Sequence, residues 1–372
     1  MNFEFSEEQN LLREQARGFL QDNCSPKVVR EALESGGPFN QGLWGKVAEM
    51  GWLSTVIPEE YDGLGLSYLE LCVIADEMGR AVAPLPFSSS VYLATEALLA
   101  CGTNSQKEQW LPKLASGEVV ATFALAEGQG QTTPKNLQTS VSGDKISGRK
   151  VAVADAAYAD LCIVVASSTS GDGADLYLVD LNQSEISRED VPTLDPTRPH
   201  ANLTFAGASA ELMGEAGTGW AATNNLLNRA AILFAWEQVG GSDTALEMAR
   251  EYALGRYAFG RPIASYQAIK HKLAEMYVRN TLARSNCYYG AWALNTNAAE
   301  LPVAAASARV SAIQAYYFSA KENIQTHGGM GFTWEFDCQF HYRRSKLLSL
   351  VVGSEGQWAD KLITAIDQSS AA

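Results

Sequence analysis

Apolar positions recur at helical spacing from Ser6 to about residue 117, alternate in short runs to about residue 210, and then return to long helical periods. Ser6-Glu7-Glu8-Gln9 reads as a capping box, in which the Ser6 hydroxyl and the Gln9 side chain satisfy backbone donors at a helix start. Breaks at Pro26 and at Gly36-Gly37-Pro38 divide this first stretch into several helices. Gly51-Trp52 and Tyr61-Asp62-Gly63-Leu64-Gly65 read as turns, and 111–117 closes the region. In the middle, 141–146 predicts a hairpin around Gly143-Asp144, and 161–166, 176–180 and 201–205 predict further strands. After Gly219, four helical patterns cover about 222–259, 265–296, 302–327 and 338–368, with the short loops of an up-and-down bundle. The expected class is α+β: an all-α N-terminal domain (1–118), a middle β-barrel or sandwich-like domain (119–210) and a C-terminal four-helix bundle (211–372).

Composition narrows the function without defining it. The 372 residues are enough for two or three domains, and 47% hydrophobic against 19% charged side chains is ordinary for a globular protein. Acidic residues outnumber basic ones, 42 to 28, so the net charge of −14 repels polyanions and argues against a nucleic-acid partner. Six scattered cysteines without a C-x-x-C pair, and four histidines without ligand spacing, give no disulfide framework and no metal site. No stretch has the apolar length of a membrane span, and the acidic N-terminus lacks a signal-type apolar core, so the expected setting is the cytoplasm. Neither a G-x-S-x-G elbow nor a Walker A loop is present.

One corner of the sequence is suited to an anion. Gly260 followed by Pro262 predicts a helix stop that leaves Arg256 in the last turn. Ser265 then stands as an N-cap, with Gln267 in the first turn of the next helix. A cation, an amide and unpaired helix N–H groups gather there, as a pyrophosphate would require. The alternative is that Arg256 serves its own helix C-terminus and Gln267 is merely exposed. A second glycine-rich helix end follows at Gln325-Thr326-His327-Gly328-Gly329-Met330-Gly331.

These two segments resemble the acyl-CoA dehydrogenases. The run Arg256–Gln267 matches the R-x-x-F-G-x-x-I-x-x-x-Q motif of that family, and Gln325–Gly331 matches its glycine pair. The likeness extends from the Phe5–Gln9 opening through Pro58–Gly65 to the end of the chain. The resemblance implies FAD as cofactor and an acyl-CoA as substrate, with an electron-accepting flavoprotein downstream. It assigns Arg256, Phe259, Gln267, Gln325, Gly328 and Gly329 to the FAD of a neighbouring subunit. The Gly331-Phe332-Thr333-Trp334-Glu335-Phe336-Asp337 version is closest to a bacterial branch acting on steroid side chains and other bulky or dicarboxylic acyl-CoAs.

The chain also departs from the family. Desaturation needs a base within reach of the α-proton, while the β-hydrogen passes as hydride to the flavin. Aligned through Arg343 and Lys346, the usual glutamate becomes Val352, and the alternative position on the first bundle helix is Asn228, before Arg229. Glu355 lies three residues beyond Val352 and is a displaced-base candidate; a solvated glutamate is the other reading. The flavin-ring loop reads Ala126-Glu127-Gly128-Gln129-Gly130-Gln131-Thr132, and the W-I-T segment reads Ala152-Val153-Ala154, so two hydroxyl donors are missing. Each should cost about 1 kcal/mol of flavin binding or more. The pattern suggests one half of a heteromeric α2β2 enzyme, clamping a flavin seated mainly in a second, homologous subunit that supplies the glutamate. Competing readings are a self-sufficient homotetramer using Glu355, a family member that works with reduced flavin and oxygen, and a purely structural subunit. Trp334 and Glu335 have two readings, lining of the substrate or flavin cavity, or packing of Trp334 with Glu335 paired to Arg343 or Arg344, of which packing is preferred; Arg229 suits either orientation of a carboxylate or an interface salt bridge.

Overall fold

The computed structural model describes residues 5–168 and 173–370. Contacts divide them into two compact units, one within Met1–Glu31, Tyr68–Ala83 and Ala231–Ala372, the other within Ala32–Ser67 and Pro84–Ala230.

The first unit is helical. It holds α1 (Glu7–Asn23), the start of α2 (Pro26–Ser35), α4 (Tyr68–Arg80) and the greater part of α7 (Gly219–Gly255), followed by α8 (Gln267–Asn295), α9 (Leu301–His327), α10 (Cys338–Leu348) and α11 (Glu355–Ser370). The Ser6–Gln9 capping box starts α1 as expected. Glycines let α4 and α7 touch backbone to backbone: a Cβ on Gly79 would lie 1.8 Å from the Glu237 carbonyl oxygen, and one on Gly240 would lie 1.9 Å from that of Asp76. Beside this crossing the buried Asp76 carboxylate accepts two hydrogen bonds of 3.0 Å from Arg284, which also reaches Asp243 at 2.6 Å. Burial works against the Asp76 charge, but Arg284 outweighs it and holds the carboxyl below its ordinary value.

The fourth expected bundle helix is two helices. Ser349–Ser354 form a turn between α10 and α11, where Gly353 takes φ +115°, a conformation that side chains resist. The buried Trp358 indole donates to the Val352 carbonyl at 3.2 Å and fixes the turn.

The second unit carries α3 (Gln41–Glu49), α5 (Glu96–Cys101), α6 (Asn104–Ser116) and an eight-stranded mixed sheet. The strands are β1 (Ala121–Ala124), β2 (Ser140–Ser142), β3 (Lys145–Ala154), β4 (Leu161–Ser167), β5 (Ala174–Asp180), β6 (Ile186–Val191), β7 (His200–Ser209) and β8 (Glu211–Met213). Their order is β6-β7-β3-β2-β4-β5-β8, with β1 parallel to β4. β6 and β8 are free edges, so the sheet is open and the expected barrel does not close. A register shift between Lys150 and Val153 bulges β3 and puts Ala152 at φ +49°. Within the same unit Ser88–Thr95 form a π-helix that the sequence did not announce. The buried Ser88 and Ser89 hydroxyls tie it to the Arg198–Asp155 ion pair.

Candidate functional site

α7 ends at Gly255, short of the stop expected at Gly260, so Arg256 lies just beyond the helix instead of in its last turn; its N–H still donates to the Tyr252 carbonyl at 2.8 Å. The chain then forms a small hairpin, β9 (Tyr257–Ala258) against β10 (Arg261–Pro262). Its two-residue tip, Phe259-Gly260, has φ +50° and +80°. Two left-handed residues in succession are what a type I′ turn demands. Phe259 is held in a conformation unfavourable to a bulky side chain and is 98% exposed. The Tyr266 hydroxyl donates to the Ala258 carbonyl at 2.9 Å and the Arg261 guanidinium lies 4.1 Å over the Tyr266 ring, bracing the hairpin. Ser265 does not cap α8. Its hydroxyl donates back to the Pro262 carbonyl at 2.7 Å, closing a 3-10 turn, and Tyr266 occupies the cap position.

α9 ends at His327, whose ring stacks on Tyr252 at 4.1 Å, while Lys272 of α8 pairs with Glu322 of α9 at 2.6 Å. These contacts gather the C-terminal ends of α7 and α9 and the N-terminal end of α8. His327 donates through Nδ1 to the Asn323 carbonyl at 2.9 Å, and burial holds its pKa below the ordinary value, so the ring is neutral at pH 7. Arg256, Phe259, Gln267, Gln325, Gly328 and Gly329 surround this junction. The side chains of Arg256, Gln267 and Gln325 are exposed and make no hydrogen bond or ion pair among the described residues. A Cβ on Gly328 or Gly329 would meet nothing within 4 Å. Free donors and open space at two bare glycines fit a phosphate-bearing dinucleotide.

The base positions are different. Val352 is half-buried in the Ser349–Ser354 turn. Glu355 is exposed at the start of α11 and accepts from the Gln314 amide at 2.7 Å. Asn228 is half-buried on α7, and its neighbour Arg229 forms a buried ion pair with the Glu96 carboxylate of the same chain. In the ring loop, Glu127 accepts from the fully buried Lys150 ammonium at 2.7 Å and from the Thr139 amide at 3.0 Å. Burial opposes its charge, but Lys150 prevails and keeps the carboxyl below its ordinary value. The loop is therefore anchored while its alanines offer no side-chain donor: the Ala126 carbonyl accepts from the Val151 N–H at 2.8 Å and the Ala154 carbonyl from the Thr122 hydroxyl at 2.6 Å. The residues present fit the dinucleotide clamp and not the ring contacts.

Other expectations shift. Trp334 is 46% exposed, with the guanidinium groups of Arg30 and Arg343 at 5.8 Å and 5.9 Å from its ring, so it does not pack inside. Arg344 pairs with Glu237 at 3.3 Å instead of Glu335. Among the described residues no cluster of metal-ligating side chains occurs and no helix is long and apolar enough to cross a membrane.

Residues 6–118 match the acyl-CoA dehydrogenase N-terminal domain and residues 217–360 the acyl-CoA dehydrogenase C-terminal domain. Acyl-CoA dehydrogenase IpdE2 of Mycobacterium tuberculosis is 32% identical over 340 residues, covering 91% of each protein. Among solved structures, a variant of the Tcur3481-Tcur3483 steroid ACAD superposes with a TM-score of 0.89 at 28% identity, over 98% of this chain and 99% of that one. The ChsE4-ChsE5 complex from Mycobacterium tuberculosis shares the fold, with a TM-score of 0.90 at 24% identity over 99% of both chains. The chain belongs to the acyl-CoA dehydrogenase family, whose members are FAD-dependent oxidoreductases.

Proposed function

We propose that this chain is the clamping half of a heteromeric, FAD-dependent acyl-CoA dehydrogenase whose homologous partner supplies the catalytic glutamate. The observation that carries the reading is Phe259, 98% exposed on a strained hairpin tip in a chain whose base positions hold Val352 and Asn228. An aromatic side chain held in water in a disfavoured conformation is best accounted for by something that covers it on assembly. On this reading Phe259 packs against the dinucleotide of the neighbouring subunit and Arg256 neutralises its phosphates. Gln267 and Gln325 donate hydrogen bonds, while Gly328 and Gly329 admit it closely. FAD, when bound, supplies the hydride acceptor; the α-proton goes to the partner's glutamate. The bond from Gln314 supports Glu355 as a surface residue rather than a base.

The substrate is an acyl-CoA, and the Gly331–Asp337 signature together with the steroid ACAD relative supports a bulky, steroid-derived acyl group. A flavoprotein acceptor would reoxidise the flavin. The three sequence segments 1–118, 119–210 and 211–372 remain our division of the chain into domains.

The test is the flavin content of the chain purified alone, read from its visible absorption, with acyl-CoA turnover measured on the same sample. Little flavin and no turnover, both restored by co-expression with a homologous subunit, is the expected result. One FAD per chain with turnover by the chain alone would overturn the proposal.

A further inference from the structure

The ten residues between α9 and α10 carry the glycine pair of the clamp, and their outer half is held from a distant part of the sequence. Gly328–Phe332 form a 3-10 turn, and Thr333–Asp337 lead into α10. Phe332 projects outward, 80% exposed. Arg30, on α2, donates to the Trp334 carbonyl and to the Asp337 carboxylate, so one guanidinium spans both ends of 334–337. The same group lies 5.1 Å over the Phe340 ring and 5.8 Å over that of Trp334.

Asp337 shows what this arrangement displaces. It stands at the N-cap of α10, where aspartate is among the best capping residues, yet its side chain makes no capping hydrogen bond. The carboxylate turns to Arg30 instead, exchanging a cap for a charge-assisted contact with another helix. The support underneath is thin. A cavity of about 360 Å³ lies among Pro26, Val29, Met248, Asp337 and Phe340, so this end of the segment does not rest on a filled core.

We propose that Arg30 is a positioning residue for the clamp: it fixes the 330–337 backbone, and through it the presentation of Gly328, Gly329 and Phe332. The proposal rests on the reading that these glycines face FAD. Arg30 lies in neither sequence motif, about 300 residues from the segment it holds.

The experiment compares wild type with Arg30→Met and Arg30→Lys by hydrogen–deuterium exchange on the full chain. FAD affinity is measured alongside on the assembled enzyme, by quenching of flavin fluorescence. In Arg30→Met, amides of 330–337 should exchange at least tenfold faster while those of α8 and α9 keep their rates, and FAD should bind about tenfold more weakly. Arg30→Lys, which keeps the charge and loses the fork, should recover only part of both effects. Unchanged exchange across 330–337 would overturn the proposal. Faster exchange with unchanged FAD affinity would overturn its link to the clamp. A wild-type assembly that takes up no FAD would instead sink the proposed function, and the exchange comparison would still decide whether Arg30 holds the segment.

Discussion

Replacing Phe259 with alanine separates a residue's value to the assembly from its value to its own chain. In the isolated chain the ring is 98% exposed, so its removal forfeits no buried area, and alanine tolerates φ +50° no better than phenylalanine does. Thermal stability of the chain alone should stay within a degree or two. On assembly the whole ring becomes available for burial, which for a phenylalanine is worth about 2 kcal/mol, or roughly a 30-fold change in affinity. Flavin affinity of the assembled enzyme, measured by fluorescence recovery on dissociation, should fall by that factor. Phe259→Gly provides the control, because it relieves the left-handed strain, about 1 kcal/mol, while still losing the ring. It should raise the stability of the chain and lower flavin affinity as much as alanine does. If Phe259→Ala leaves flavin affinity within threefold of wild type, or destabilises the chain alone by as much as it weakens flavin binding, the reasoning is refuted.

Gly79→Ala would place a methyl 1.8 Å from the Glu237 carbonyl oxygen and force α4 away from α7, so a loss of about 3 kcal/mol in urea unfolding, or failure to fold, is expected. Gly18→Ala, on α1 with nothing within 4 Å, should instead gain about 0.5–1 kcal/mol in the same assay. His341 is buried and, with Arg344 and Arg80 nearby, its pKa falls from 6.5 to about 3. The unfolded chain takes up that proton first, so stability is fully present above pH 6.5 and falls by about 1.4 kcal/mol per unit as the pH drops toward 3. His341→Gln should flatten that slope in unfolding measured from pH 7.5 to 4.5; an unchanged slope would show that other groups govern it. Glu355→Gln should leave turnover of the assembled enzyme within twofold, and a drop of a thousandfold would reinstate Glu355 as the base.

The legibility of this chain follows the range of the interactions involved. Features fixed by neighbours could be read directly: the Ser6–Gln9 capping box, the hairpin at Gly143-Asp144, and the helix ends at Gly117 and Gly328. Ser265 misled because a serine before a helix can bond backward as well as forward, and here its hydroxyl found the Pro262 carbonyl. The break between α10 and α11 was hidden by Leu350-Val351-Val352, which continue the apolar pattern, although Gly353 and Gly356 were a visible signal. The Phe259-Gly260 hairpin was likewise concealed behind a motif known for its side chains rather than its backbone. Pairings such as Arg229 with Glu96 or Ser89 with Asp155 left no local trace, since only folding brings those residues together. For the proposed clamp residues, the sequence could not reveal that three side chains are uncommitted and that Phe259 is strained, because both depend on the folded backbone.

The turn that holds Val352 has a consequence for how such a subunit can change. Its shape is set by Gly353 and by the bond from Trp358 to the Val352 carbonyl, which any residue at 352 would provide. Backbone scaffolding and reactive group are thus encoded separately. Under the proposed function, a single codon silences or restores the reactive position without asking the fold to adjust, so a subunit relieved of chemistry keeps the face it presents to its partner.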